Sequence, residues 1–142
     1  MQRVADLRVT TEKCLRNCFD CFTEKAKKTL SLKEIKNLID QLAEMQVKAV
    51  DFLGEGEPTL DKDFFEIMEY TKSKGIQPVI FSDAATKLRD ISFVRRLKEI
   101  GVTIIPKCDS LFNAEYQNRV VDDKSETYFD QRNEALQLLI NE

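Results

Sequence analysis

The sequence predicts an α/β chain, a parallel four-stranded sheet with helices packed outside it. Three observations carry this. Apolar residues recur at helical spacing in several segments, and short β-branched or aromatic runs precede them. The two kinds of segment alternate along the chain, which implies parallel pairing with right-handed crossovers. The length, 142 residues, suits one domain over residues 1–142 and is enough for a hydrophobic core.

Each element has a local reason. Residues 3–10 read as the first strand, with Val4, Leu7 and Val9 as its apolar members. A cysteine-rich segment follows, then a solvated connector carrying Lys25, Lys27 and Lys28. The spacing of Leu32, Ile35, Leu38, Ile39, Leu42 and Met45 predicts a helix over 31–46. Ser31 and Glu34 form an S-x-x-E capping box at its start. Residues 47–53 make the second strand, and a Gly-rich turn occupies 54–58. A second helix is expected over 61–74, with Phe64, Phe65, Ile67 and Met68 inward and Gly75 at its end. The third strand is 78–81, followed by Ser82 and Asp83. The third helix, 90–100, places Ile91, Val94, Leu97 and Ile100 in one row and stops at Gly101. The fourth strand, 102–107, contains Pro106, which cannot donate a ladder hydrogen bond and therefore suits an edge. A last helix is expected over 126–140.

Composition narrows the function. Apolar residues make up 42% and charged residues 33%, a globular balance. The net charge of −3 argues against nucleic-acid binding through bulk charge. There is no His, so Ser-His-Asp chemistry, Cys-His chemistry and His-ligated metals are excluded. No stretch approaches the roughly 20 apolar residues of a membrane span, and the first segment lacks a signal peptide's apolar core. The expectation is a cytoplasmic protein with reduced thiols and no membrane partner.

Three of the four cysteines, Cys14, Cys18 and Cys21, form a C-x3-C-x2-C run. In a reduced compartment such spacing points to a metal or redox group. Three thiolates on one loop can hold three irons of a cubane cluster and leave the fourth iron open. A zinc site would need a fourth ligand, here Cys108 or a carboxylate. Cys108 itself reads either as a small apolar residue facing the core or as a thiol near the metal. As a fourth ligand it would make the protein an electron carrier or an inert cluster site. At the end of the second strand stands Gly54-Glu55-Gly56-Glu57-Pro58. Gly56 admits close backbone approach and Pro58 fixes the exit of the turn. Carbonyls and a carboxylate there suit a cationic amine. Ser82, Asp83, Lys107, Asp109 and Ser110 follow the third and fourth strands, where ligands bind in parallel β/α folds.

From Leu7 to the last helix the sequence resembles the radical S-adenosylmethionine (SAM) superfamily. The resemblance rests on Cys14, Cys18 and Cys21, and on Gly56, Glu57 and Pro58, which match a Gly-Gly-Glu-Pro turn with Glu55 replacing its first glycine. It implies a parallel (β/α)4 half-barrel, the first half of a partial TIM barrel. The implied cofactors are a [4Fe-4S] cluster on the three cysteines and SAM on its open iron. Asp20 stands where the family usually has an aromatic residue near the adenine, with Phe19 and Phe22 beside it. By the same resemblance Gly54, Glu55, Gly56 and Glu57 would hold the amino-acid end of SAM, and Ser82, Lys107 and Asp109 would orient the rest. No catalytic side chain is assigned. The implied activity is reductive cleavage of SAM to a 5′-deoxyadenosyl radical that takes hydrogen from an unknown substrate, with a one-electron donor protein as partner. The alternatives are a non-catalytic iron–sulfur or zinc module and a half-barrel scaffold without turnover. Family members commonly have about six β/α units, so a four-unit chain is expected to be a fragment, a split protein or a minimal half-barrel. Exposed first and fourth strands would favour a homodimer.

Overall fold

Four short strands pair in chain order, all parallel, as the alternating pattern requires. The computed structural model describes residues 3–8, 14–21, 30–54 and 56–142. The strands are β1 (Val4–Arg8), β2 (Ala49–Leu53), β3 (Gln77–Ser82) and β4 (Thr103–Pro106). The connecting helices are α1 (Leu32–Glu44), α2 (Phe64–Ser73) and α3 (Ile91–Ile100). Past β4 come α4 (Ala114–Val120) and α5 (Tyr128–Asn141).

Strand alternation sorts side chains to two faces. Val50, Phe52 and Ile80 are buried under the helices, among Ile35, Ile39, Ile67, Met68 and Leu97. Phe64, Phe65 and Phe93 form a ring cluster there, with centroids 4.7–5.6 Å apart. The opposite face is open: Val4, Phe81 and Ile105 are 58%, 39% and 40% exposed. Pro106 sits on β4, which is an edge, as its missing N–H demands.

The Ser31–Glu34 capping box is present, with the Ser31 N–H donating to Glu34 at 2.8 Å. Gly101 closes α3 at φ 79°, a left-handed conformation that favours glycine. The second helix starts later than its periodicity suggests. Pro58–Leu60 instead forms a 3-10 turn capped by Glu57, and α2 begins at Phe64. Helix α4 is an addition to the expected elements. It is seven residues long, and two of its three buried members, Gln117 and Asn118, are polar beside Val120, so it carries no continuous apolar stripe.

Candidate cofactor site at the C-terminal rim of the sheet

The expected site residues gather at the ends of the strands, where the backbone turns away from the ladder. Gly54 leaves β2 at φ 152°, open to glycine and little else. Glu55 lies outside the described residues. Glu57 is buried, and its carboxylate is saturated from inside. Oε1 accepts from the Thr59 hydroxyl at 2.6 Å and the Ser82 hydroxyl at 2.7 Å, and Oε2 accepts from the Asp83 N–H at 2.7 Å. One side chain thus ties the turn after β2 to the end of β3. Burial, reinforced by the nearby Asp83 charge, pushes Glu57 up to about 7.

Ser82 and Asp83 end β3 in buried positions, and Ala84 follows at φ 62°, an uncommon conformation for a residue with a side chain. Asp83 accepts from the Thr86 hydroxyl at 2.6 Å and from Arg16 Nε at 3.2 Å. Arg16 lies inside the cysteine run, so this ion pair draws that loop onto β3. The loop is held at further points, among them Asn17, whose side-chain amide donates to Asp122 at 3.4 Å. The Phe19 N–H donates to the Val120 carbonyl at 3.2 Å, and Lys107 Nζ contacts Asp20 at 3.0 Å. Lys107 also contacts Asp109 at 3.2 Å. Burial works against the Lys107 ammonium, but its bonds to Asp20 and Asp109 outweigh this and hold its pKa above the ordinary value. Gln117, fully buried on α4, accepts from the Asp109 and Ser110 N–H groups at 2.8 and 2.9 Å and donates to Asp109 Oδ2 at 2.9 Å. Asp109 is therefore oriented from behind.

Cys14 and Cys18 are half-buried, and Cys21 is exposed. Burial pushes the Cys18 thiol up to about 11, against the pull of Lys107. Among the described residues no three Cys, Asp or Glu side chains are gathered around one point. A cubane cluster asks instead for one thiolate at each of three corners and favours amides donating to sulfur. The Arg16 N–H lies 3.5 Å from Cys14 Sγ. Three thiols on one loop are a donor set that suits the corners of a cubane cluster. Cys108 is exposed and does not face the core. The chain leaves the sheet after Pro106, so strand alternation no longer directs the Cys108 side chain inward.

A profile of the Radical SAM superfamily matches residues 9–137. The chain belongs to that superfamily. Its members are enzymes that use a [4Fe-4S] cluster and SAM. Among curated relatives, Fe-coproporphyrin III synthase of Methanosarcina barkeri is 33% identical over 99 residues, covering 67% of this chain and 24% of that protein. A probable GTP 3′,8-cyclase of Sulfurisphaera tokodaii is 33% identical over 103 residues, covering 70% and 32%. The chain thus spans about a quarter to a third of these relatives' length. Among solved structures, anSMEcpe with bound AdoMet and a peptide superposes with a TM-score of 0.78 at 20% identity, covering 99% of this chain and 40% of that one. BtrN in complex with AdoMet and 2-DOIA gives 0.65 at 19%, covering 92% and 55%. The radical SAM half-barrel architecture expected from the sequence is present, as a partial barrel.

Sequence reasoning missed Arg16, Gln117 and Tyr128. Each is a polar side chain whose partners lie in another element or loop, and no periodicity marks it. Asn113 gave a faint signal for α4, since its side chain accepts from the Tyr116 N–H as an N-cap. No helix among the described residues is long and apolar enough to cross a membrane.

Proposed function

We propose that this chain, as one radical SAM-like domain, binds a [4Fe-4S] cluster through Cys14, Cys18 and Cys21 and binds SAM beside it. A [4Fe-4S] cluster held by these cysteines would supply the one-electron reduction of the SAM sulfonium, by which the S–C5′ bond would break to methionine and a 5′-deoxyadenosyl radical able to take hydrogen from a substrate. The observation that carries this reading is the attachment of the cysteine loop to both rim turns, through Arg16–Asp83 and Asp20–Lys107. Three thiols and the polar strand ends thereby border one site.

The protein's part is ligation, orientation and exclusion of water. Gly54 and Gly56 let the turn after β2 approach the amino-acid end of SAM, and Glu57 braces that turn through Ser82 and Thr59. Glu55, which lies between these glycines in the sequence, is proposed to contribute there as well. Asp20, Lys107 and Asp109 keep partly exposed polar groups for the remainder of SAM. The open face of the sheet with Val4, Phe81 and Ile105 suits the substrate side or a second copy of the chain paired through β1 and β4. A one-electron donor protein completes the set of partners.

The test is anaerobic reconstitution with iron and sulfide, reduction, and assay for 5′-deoxyadenosine. Release of 5′-deoxyadenosine that disappears in Cys18→Ala supports the reading. A reconstituted cluster that yields none under reduction contradicts it and favours a non-catalytic iron–sulfur module. Sedimentation of the holoprotein tests the paired copies: a monomer at high concentration removes that part.

A further inference from the structure

Tyr128 opens α5 and is fully buried, yet its neighbours belong to three separate parts of the site. Its hydroxyl donates to the Asp83 carbonyl at 2.9 Å and lies 3.4 Å from the Lys107 carbonyl. The face of its ring carries the Arg16 guanidinium at 4.7 Å, and Arg16 itself holds Asp83 at 3.2 Å. The same ring packs with Ala85 and Val121 against Cys18.

The location of the hydroxyl gives the contact its meaning. The Lys107 N–H donates to the Ser82 carbonyl at 2.8 Å, just past the end of the β3–β4 ladder. Beyond that bond the Tyr128 hydroxyl donates to the Asp83 carbonyl at 2.9 Å and lies beside the Lys107 carbonyl at 3.4 Å. Phenylalanine would fill the same volume and still carry Arg16 by cation–π attraction. What phenylalanine would lose is the hydroxyl's bond to the Asp83 carbonyl, beside the Lys107 turn.

We propose that Tyr128 is a positioning residue for SAM. It sets the distance between the cysteine loop, which would carry the cluster, and the two turns bearing Asp83 and Lys107. It acts through these groups and touches neither iron nor SAM. The inference rests on the cofactor reading above.

The experiment compares wild-type and Tyr128→Phe holoprotein, both reconstituted anaerobically. Iron and sulfide per chain are expected to be equal. SAM is expected to bind the variant about tenfold more weakly by equilibrium dialysis, the scale of one lost internal hydrogen bond. The change that bound SAM causes in the electron paramagnetic resonance (EPR) signal of the reduced cluster is expected to differ from wild type even at saturation. A variant with wild-type SAM affinity and an unchanged SAM-induced signal overturns the inference alone. A wild-type holoprotein that binds no SAM overturns the cofactor reading instead. If the variant fails to keep its cluster, amide exchange on the metal-free protein decides. Faster exchange confined to residues 82–86 and 107–110 supports the positioning role. Faster exchange throughout the sheet reduces Tyr128 to a packing residue and overturns it.

Discussion

The helix-covered side of the sheet and the rim at its strand ends are both buried, but they are built from opposite materials. Beneath the helices lie Ile35, Ile39, Phe52, Ile67, Met68 and Ile80, with hardly a polar atom among them. At the rim lie Glu57, Thr59, Ser82 and Asp83, backed by Gln117, Asn118 and Arg132 from α4 and α5. Apolar burial is non-directional and sets stability. Buried hydrogen bonds add little net stability but fix positions, and they penalise any misplacement. The core can therefore absorb small changes that the rim cannot, and rim changes should alter ligand binding before they alter folding.

The sharpest break in this comparison comes from the cysteines. Alanine at Cys14, Cys18 or Cys21 should abolish cluster incorporation while leaving the helical circular dichroism intact. Cys108→Ala should keep wild-type iron and the visible absorption of the cluster. Loss of the cluster in Cys108→Ala would place a fourth protein ligand on it. The core gives the next largest effect. Phe52→Ala should cost about 3–5 kcal/mol in urea unfolding, the usual range for emptying an aromatic core site. It should weaken SAM binding only as far as the folded fraction falls.

Gln117→Leu sharpens the comparison from the rim. It removes the partner of the Asp109 and Ser110 amides and of Asp109 Oδ2, at a cost of about 1–3 kcal/mol for groups left unpaired. Its SAM affinity should fall further than its stability accounts for, as dialysis beside urea titration would reveal. Glu57 gives a smaller, pH-dependent effect. Its folded-state pKa, about 7, lies above the ordinary 4.5. Its contribution to stability is therefore whole below about pH 4.5 and is lost as pH rises through about 7. Glu57→Gln should flatten that decline in unfolding curves taken across the interval. The smallest effect belongs to exposed ion pairs: Arg89→Ala, which breaks the 2.7 Å contact with Glu134, should leave the melting temperature unchanged.

Most of the scaffold was legible in the sequence because its signals are local. The capping box at Ser31, the apolar rows of α1 and α3, and Gly101 act within one or two turns of chain. The late start of α2 was not legible, because the Glu57 carboxylate is drawn to Ser82 across the sheet and Pro58 fixes a 3-10 turn first. Helix α4 was hidden for another reason: its buried face is mostly Gln117 and Asn118, and Val120 alone makes no periodic apolar row. At the site, the cysteine run stood out by its spacing, and residues 54–58 by their glycines and proline after the second strand and by their resemblance to the family's turn. The contacts of Arg16, Gln117 and Tyr128 could not, since each joins segments 8 to 67 residues apart or more than one loop at once.

The most direct measurement is the Mössbauer spectrum of the anaerobically reconstituted cluster, recorded with and without SAM. Ligation by Cys14, Cys18 and Cys21 predicts one iron distinct from the other three, and its parameters move when SAM is added. Four irons indifferent to SAM, or zinc in place of iron, would contradict it.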